Sequence, residues 1–362
     1  MDQAGRNSLM AVLHITNNCN LHCSYCYSNK TNEEMPLSTA FRAVDFLSGL
    51  KDKYKSITVA FSGGEPLTAF DNLYKIVKYA WKRGIRNFII CTNGVKIDER
   101  VIEFFVAYNI SPTVSLDGIA AAHRINRPAH DGKDTWKNVD HALDLFNKHL
   151  KAFDKRSPDY LRLRCTFTPE TVRYLDRSIR YLADKPVSEV AMITLMPGML
   201  PHKRWDTPLR DKSLTDTLDR QMGKILDFCI QRQACGHPVR LCFNECLTIR
   251  WNDFIDLCGQ SRFPFCGAGV NKLGISASGS IFPCYLFSAD PGRSDKLRMG
   301  DVFKGFKAAG ETAGICRRFK ENRFFSCLYW NFMETGAANS PALVYKALYQ
   351  SMLKSLVTYF QR

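Results

Sequence analysis

Three cysteines near the start of the chain could supply several thiolate ligands to one metal centre. They are Cys19, Cys23 and Cys26, in a C-x3-C-x2-C spacing that follows a short apolar stretch. Thiolates bind iron–sulfur clusters and zinc, and three of them leave one ligand position open for another molecule. The spacing alone leaves three interpretations: a cluster with an open position, a zinc loop with a distant fourth ligand, and a group of buried thiols.

A glycine-rich turn with an acidic residue follows farther along the chain. It reads Ser62-Gly63-Gly64-Glu65-Pro66. Glycine permits close backbone approach to a ligand, and a carboxylate accepts hydrogen bonds from an ammonium group. The turn is therefore a candidate amine-binding segment, although two glycines also suit a tight connection between a strand and a helix.

A second set of cysteines lies in the last third of the chain, which has 14 cysteines in all. Twelve residues separate Cys266 from Gly279, and four separate Gly279 from Cys284. The alternating pattern around Ser278-Gly279 predicts a β-hairpin with one of these thiols on each side. Buried free thiols are the alternative. Six cysteines receive no role: Cys91, Cys165, Cys229, Cys235, Cys242 and Cys246.

The elements that must position these residues follow the pattern of βα units around a parallel sheet, because β-branched runs alternate with amphipathic segments. Loops at the carboxyl ends of parallel strands build the functional sites of such sheets. The cysteine loop and the Gly-Gly-Glu turn both occupy such positions. The predicted strands are Leu9–Ile15, Ser56–Phe61, Asn87–Cys91, Thr113–Leu116, Leu161–Phe167 and Glu189–Leu195.

Composition and charge limit the classes of protein that the chain can be. With 45% hydrophobic and 23% charged residues, it is an ordinary globular protein rather than a disordered or collagen-like one. The net charge of +15 favours an anionic partner. No apolar run reaches the roughly 18 residues of a membrane span, and no signal peptide is visible. We expect a cytoplasmic protein whose cysteines are thiols or metal ligands.

The Cys19/Cys23/Cys26 spacing, with Tyr25 before the third cysteine and the Gly63-Gly64-Glu65 turn downstream, resembles the radical S-adenosylmethionine (SAM) superfamily. The resemblance implies an α/β fold, a partial (β/α)6 barrel of TIM type. It also implies that the three cysteines bind a [4Fe-4S] cluster whose open iron holds SAM, and that the Gly-Gly-Glu turn receives the amino group of the methionine moiety. Reductive cleavage of SAM would give a 5′-deoxyadenosyl radical that abstracts hydrogen from a substrate.

Further SAM-binding positions are implied by the resemblance, one by one. Asn93 ends the third strand, and Ser115 with Asp117 ends the fourth, where the family contacts the ribose. Arg127 would meet the carboxylate of the methionine moiety, and Leu195 or the next residue would pack against the adenine. Each also has an ordinary alternative as a turn residue, a solvated charge or a core leucine. No catalytic base is assigned.

The second cysteine set is similar to the start of a SPASM domain, or of its shorter twitch form, which holds auxiliary clusters. The dense cysteine run that continues a full SPASM domain is absent, which implies one auxiliary [4Fe-4S] cluster rather than two. Sulfatase maturases carry an aspartate base directly after the second hairpin cysteine, whereas this chain has Tyr285, which argues against that activity. The four ligands would come from Cys258, Cys266, Cys284, Cys316 and Cys327.

The resemblance also implies a domain division and a class of substrate. We expect the barrel in residues 1–212, a helical bridge in 213–257, the auxiliary-cluster module in 258–330 and a C-terminal helix in 331–362. Relatives with such modules mostly modify peptides or proteins, so we expect oxidative modification or cross-linking of a peptide side chain. The electron would come from a donor such as flavodoxin or ferredoxin.

Two other functions remain open at this stage. One is a small-molecule dehydrogenase that acts on an aminoglycoside or a nucleoside. The other is an RNA-modifying enzyme that uses basic residues, Arg162 and Arg164 among them. No RNA-binding module is recognisable, so we expect these arginines to lie on solvated helix faces and no nucleic acid or membrane to be a partner.

Overall fold

The computed structural model describes residues 8–149, 161–185, 189–194, 212–239, 241–243, 249–250, 267–289 and 291–307. The strands in these ranges are β1 (Ser8–Thr16), β2 (Ser56–Gly63), β3 (Asn87–Thr92), β4 (Ile110–Ser115), β5 (Arg162–Phe167), β6 (Glu189–Thr194), β7 (Leu241–Phe243), β8 (Ile249–Arg250), β9 (Lys272–Ile275), β10 (Ser280–Phe282), β11 (Gly300–Asp301) and β12 (Gly305–Phe306). The helices are α1 (Leu37–Ser48), α2 (Phe70–Lys82), α3 (Glu99–Ala107), α4 (Ala120–Asn126), α5 (Thr135–His149), α6 (Leu175–Ala183), α7 (Lys212–Ala234), α8 (Tyr285–Ser288) and α9 (Pro291–Ser294).

Six parallel strands, β1 to β6, lie side by side in chain order, as the βα pattern predicts. The predicted α/β fold of the partial-barrel type is confirmed. The sheet is open in the part of the chain that the structure describes, because β8 and β12 stand at its two ends. None of the described helices is long and apolar enough to cross a membrane.

The fourth strand begins earlier than expected, at Ile110 rather than Thr113. The first half of this strand was not predicted because it contains Pro112, and proline lacks the N–H that a central strand needs. The register explains why it is tolerated: β5 begins opposite Thr113, so the missing N–H of Pro112 removes no bond to that strand.

The predicted hairpin is confirmed, and it joins the same sheet as the barrel strands. β9 pairs with β1 in parallel, and β10 returns antiparallel to β9. Gly279 forms the turn with a φ of 87°, in the left-handed region that glycine adopts without strain. The domain boundaries themselves stay predictions, since residues 195–211 and 251–266 lie outside the described ranges.

The two faces of the parallel sheet differ in chemistry, because side chains alternate along each strand. Apolar residues on one face pack with the helices into the core, for example Leu13, Val59, Ile90, Val114 and Leu163. We call the opposite face the inner face; it carries polar side chains at neighbouring positions. These are His14, Ser62, Cys91, Ser115 and Arg164.

The placement of Arg162 and Arg164 on solvated helix faces was wrong. Both residues lie on β5, and both are only partly exposed. They alternate with the core residue Leu163, which places them on the inner face. The predicted strand Leu161–Phe167 already contained both arginines, so the expectation of a helix face disagreed with a strand prediction that the structure confirms.

Candidate active site

The cysteine loop leaves the carboxyl end of β1 and is held from the far side of the sheet. The amide of His22 donates to the Pro128 carbonyl at 2.8 Å, and that of Ser24 donates to Asn126 at 2.9 Å. The three cysteines on this loop are partly buried and none of them forms a disulfide. The end of α4 therefore fixes the loop that carries the candidate cluster ligands.

The three thiols are close enough to influence one another. The pKa of Cys23 is raised to about 12, mainly by burial and to a lesser extent by the neighbouring thiols of Cys26 and Cys19, while Arg127 and Lys30 oppose the shift. Cluster binding would therefore have to release thiol protons, and the two cations favour the thiolates that result.

The donor set fits a [4Fe-4S] cluster with one open iron. Three thiols lie on one loop, and the two nearby cations, Arg127 and Lys30, favour the thiolate form of Cys23.

The Gly-Gly-Glu turn packs directly against the start of the cysteine loop. The Gly64 amide donates to the Thr16 carbonyl at 2.7 Å. A Cβ on Gly63 would lie 2.0 Å from the Thr16 oxygen, and one on Gly64 would lie 2.2 Å from the Asn18 oxygen. The glycines are therefore required because the backbone of the cysteine loop passes so close to them. The sequence interpretation had explained the same glycines by the close approach of a ligand.

Glu65 is an anchor of this end of the sheet and is 1% exposed. Its Oε1 accepts hydrogen bonds from the Leu67 amide at 3.0 Å and the Thr92 hydroxyl at 2.7 Å, and its Oε2 accepts one from the Asn93 amide at 2.6 Å. Burial raises its pKa, and these hydrogen bonds oppose the shift. A carboxylate offers about four lone-pair sites, so three donors leave room for an ammonium group.

Asn93 joins the end of β3 to the cysteine loop. Its Nδ2 donates to Asn20 Oδ1 at 2.8 Å and lies 4.0 Å from Cys19 Sγ. Its Oδ1 accepts from the Val95 amide at 3.0 Å. The predicted site residue therefore lies beside the first cluster cysteine, where its amide orients the loop.

Asp117 and Arg127, to which the sequence assigned separate roles, form a buried ion pair. Arg127 Nε lies 3.1 Å from Asp117 Oδ1, which also accepts the Thr166 amide at 3.0 Å. The Tyr25 hydroxyl donates to Asp117 Oδ2 at 2.9 Å, and the guanidinium carbon of Arg127 lies 5.3 Å from the centre of the Tyr25 ring. Asp117 therefore ties the cysteine loop, through Tyr25, to β4 and β5.

The charge of Arg127 points to a role near the cluster. Burial opposes this charge, but Asp117, Tyr25 and Cys23 raise the pKa of Arg127 above its usual value. The side chain is 6% exposed. A fixed guanidinium beside Cys23 is suited to bind a carboxylate.

Sequence reasoning missed a chain of hydrogen bonds behind this pair. His123 Nδ1 accepts from the Asp117 amide at 3.4 Å, and its Nε2 lies 3.1 Å from the Thr135 hydroxyl. That hydroxyl donates to the Arg127 carbonyl at 3.0 Å. Burial lowers the pKa of His123 to about 4, so the ring is neutral, with its proton on Nε2. Only the position of His123 close to Arg127 in the sequence could have signalled this.

Only some of the remaining predicted site residues lie within the described ranges. Ser115 lies on the inner face of β4, opposite Arg164 of β5 in the register. Cys284 ends the hairpin and is partly buried. Leu195, Cys258, Cys266, Cys316 and Cys327 lie outside the described residues.

The structure brings the hairpin cysteine towards the first cysteine loop. Tyr27 follows Cys26 and Tyr285 follows Cys284, and the ring centres of the two tyrosines are 6.1 Å apart. Gly274 makes room for this arrangement, because a Cβ there would lie 2.4 Å from the Cys284 carbonyl oxygen. Two cysteine-bearing segments, more than 250 residues apart in sequence, therefore meet at one end of the sheet.

Comparison with known proteins agrees with this geometry. Residues 13–153 match the model of the Radical SAM superfamily. An uncharacterised protein of Methanocaldococcus jannaschii is 29% identical over 195 residues, which cover 53% of this chain and 64% of that protein, so less than two thirds of its length is matched. A cysteine-type anaerobic sulfatase-maturating enzyme of Clostridium perfringens is 24% identical over 296 residues, 78% of this chain and 74% of the relative.

A solved structure shares the fold over almost the whole chain. Native anSMEcpe with bound AdoMet and the Cp18Cys peptide has a TM-score of 0.71 at 18% identity, covering 97% of this chain and 98% of the other. Three thiols on one loop, a Gly-Gly-Glu turn packed against that loop, and the family match over the strands that carry both lead to one assignment. The chain therefore contains a radical SAM domain over residues 13–153 and is an enzyme.

Proposed function

We propose that this radical SAM enzyme oxidatively modifies or cross-links a side chain of a peptide or protein. The observation that carries the proposal is the meeting of Tyr27 and Tyr285, which brings the two cysteine segments to one end of the sheet. The fold that the chain shares with a peptide-bound relative supports a peptide substrate.

The first cysteine loop would hold the [4Fe-4S] cluster through Cys19, Cys23 and Cys26. When bound, the cluster and SAM supply the electron and the 5′-deoxyadenosyl radical that removes a hydrogen atom from the substrate. The protein binds and orients these groups. The reducing electron would come from a donor of the flavodoxin or ferredoxin class.

The contacts around the loop support a division of labour among the SAM-binding residues. Glu65 retains acceptor capacity for the ammonium group of SAM, and Arg127 would bind its carboxylate. Asp117 already contacts Arg127, Tyr25 and the Thr166 amide. We therefore assign Asp117 a positioning role and leave the proposed ribose contact to Ser115, with Leu195 proposed for the adenine.

Cys284 would be one ligand of an auxiliary [4Fe-4S] cluster, with three more ligands from Cys258, Cys266, Cys316 and Cys327. An oxidative product requires a place for the electron that the substrate radical loses. A cluster held by Cys284 would supply this acceptor on a segment that contacts the first cysteine loop through Tyr285. Tyr285 stands where the sulfatase maturases carry their aspartate, so we do not extend the proposal to that activity.

Anaerobic reconstitution of the full chain tests the proposal. With reductant and SAM, the wild type should release 5′-deoxyadenosine. Cys23→Ala should abolish this release and lower the iron content by one cluster, because thiolate ligands hold the iron. Cys235→Ala, at an exposed cysteine of the described chain, is the matched control and should change neither quantity. A wild type that binds zinc and leaves SAM intact would disprove the enzymatic proposal.

The substrate class is tested separately, with a short peptide encoded beside the gene. Mass spectrometry should show that the peptide loses a pair of hydrogen atoms for each modification. Cys284→Ala should stop this product and remove a cluster's worth of iron, while some SAM cleavage continues. Unchanged iron in Cys284→Ala would contradict the auxiliary-cluster assignment.

A further inference from the structure

One lysine folds back onto the cysteine loop, although the sequence pattern assigned it no role. Lys30 lies four residues after Cys26 and is only partly exposed. Its Nζ donates a hydrogen bond to the Leu21 carbonyl at 2.5 Å, in the segment that joins Cys19 to Cys23. Leu21 itself is fully buried. The ammonium group is therefore fixed beside the candidate cluster ligands instead of extending into solvent.

The backbone of Leu21 connects this lysine to the first cysteine. Its amide donates to Cys19 Sγ at 3.4 Å, while its carbonyl accepts from Lys30. Leu21 is thus held by polar contacts on both sides, one to a ligand sulfur and one to a cation. A change at Lys30 therefore affects a residue that directly contacts a cluster ligand.

The charge of Lys30 acts on the Cys19 thiol. Burial raises the pKa of Cys19, and the Leu21 amide and Lys30 both oppose that shift. Glu65 acts in the same direction as burial. In the proposed function this carboxylate is paired with the ammonium group of SAM, so that Lys30 still favours the Cys19 thiolate.

The same charge acts on Cys23, together with Arg127. The two cations differ in their partners. Arg127 Nε lies 3.1 Å from Asp117 Oδ1, and the guanidinium is also the proposed site for the carboxylate of SAM. None of the ion pairs among the described residues includes Lys30, and the hydrogen bond that it makes goes to a neutral carbonyl. Within these ranges no ion pair offsets the positive charge that Lys30 offers to the thiolates.

A fixed positive charge at this place has a definite effect on cluster chemistry. Reduction adds one electron to a cluster that three thiolates already make anionic, so a nearby cation stabilises the reduced state more than the oxidised state. A unit charge about 10 Å away, at an effective dielectric constant of about 20, shifts such an equilibrium by about tenfold.

We propose that Lys30 is a positioning residue for the radical-generating reaction, which holds the cysteine loop through the Leu21 carbonyl and stabilises the reduced state of the SAM-binding cluster by its charge. In this step one electron passes from a donor of the flavodoxin or ferredoxin class to the cluster, the donor is oxidised, and no bond forms or breaks. The inference rests on the proposed function and adds the residue that sets how readily the first cluster accepts this electron.

The test measures the reduction potential of the first cluster in the full, anaerobically reconstituted enzyme, without peptide. Small-molecule mediators set the potential, so no protein donor takes part, and electron paramagnetic resonance follows the reduced cluster. The signal that changes when SAM is added afterwards belongs to the cluster with the open iron.

Two variants separate the charge of Lys30 from its hydrogen bond. Lys30→Gln keeps a donor without the charge. At the wild-type midpoint, its ratio of reduced to oxidised first cluster should be about tenfold lower, which is a midpoint about 59 mV more negative. Lys30→Arg keeps the charge and should stay within about twofold of the wild type.

Lys82→Gln is the matched control, because Lys82 ends α2 and is followed by the start of β3, at the amino end of the sheet. This variant loses the same net charge far from the cysteine loop and should leave the potential unchanged. The comparison separates a local effect from a change in the charge of the whole protein.

Iron content decides the case in which Lys30→Gln holds no first cluster. A full cluster in Lys30→Arg would then support the requirement for the charge, whereas loss of the cluster from both variants would overturn the inference. An unchanged potential in Lys30→Gln, or an equal shift in Lys82→Gln, would overturn it as well. Failure of the proposed function would look different, because the wild type itself would then hold no cluster that responds to SAM.

Discussion

Two buried histidines show how differently the two polar regions of this sheet are built. His123, behind the Asp117–Arg127 pair, has a hydrogen-bonding partner at each ring nitrogen. His14, on the inner face of β1, has none of good geometry. Burial lowers the pKa of each ring to about 4. The same residue type therefore has both ring nitrogens hydrogen-bonded in one region and neither in good geometry in the other.

The difference matches what each region has to do. The region around Asp117 must hold the cysteine loop in one geometry before SAM binds, and a fully hydrogen-bonded network does this. The inner face carries His14, whose ring nitrogens make no hydrogen bond of good geometry, so this region does not depend on such a network. Substitutions in the first region should therefore cost more stability than a substitution at His14.

The largest expected effect is at Asp117. Asp117→Ala leaves the buried charge of Arg127 without its partner and should lower the free energy of unfolding by about 3–5 kcal/mol. Asp71→Ala removes the partner of Arg100, whose side chain is 72% exposed, and should cost no more than about 1 kcal/mol. Anaerobic urea unfolding of the reconstituted proteins measures both. Equal losses would show that the Asp117 network is no more than a surface ion pair in its energetics.

Replacing each histidine by leucine should lower the free energy of unfolding by different amounts. His123→Leu leaves the Asp117 amide without its partner, removes one of the two hydrogen bonds of the Thr135 hydroxyl, and should cost about 2–3 kcal/mol. His14→Leu removes a polar group without such partners, keeps a similar volume, and should change stability by no more than about 1 kcal/mol. Urea unfolding of the two reconstituted variants measures both losses. A large loss in His14→Leu would show that this ring is also structural.

Both histidines should also give the protein a pH-dependent stability. Their folded pKa values lie below the ordinary value of 6.5, so the unfolded chain takes up protons first as the pH falls. Stability is therefore fully present above about pH 6.5 and is lost as the pH falls towards 4, at up to about 1.4 kcal/mol per pH unit for each ring. His14→Leu should remove the contribution of this ring to the pH dependence of stability between pH 6.5 and 5. A slope unchanged by the substitution would mean that His14 is not buried as a neutral ring.

Much of the fold could be predicted because it depends on local patterns. Alternation and β-branching located six parallel strands, and the small residues around Gly279 located the hairpin turn. The start of β4 was missed, because the sequence does not show that β5 begins only opposite Thr113, after Pro112. Whether a residue lacks a hydrogen-bonding partner depends on the register, which local pattern does not contain.

In the candidate site, too, the local sequence pattern predicts which residues are present better than it predicts which side chains contact each other. The spacing of Cys19, Cys23 and Cys26 and the Gly-Gly-Glu turn sufficed to identify the family, because cluster binding needs those residue types on one loop. The roles of individual residues were harder to assign. Asp117 and Arg127 were assigned to different parts of SAM, whereas they contact each other.

By itself, the sequence determined the chemistry that this protein can hold: three thiols on one loop, a turn that only glycine can make, and strands whose loops share one end of a sheet. Only the tertiary structure decided which groups meet. It placed Arg164 against Cys91, 73 residues away, and Tyr27 against Tyr285. The physical reason is that periodicity reports which face a side chain occupies, whereas contacts across the inner face depend on strand order, register and the way the hairpin docks on β1.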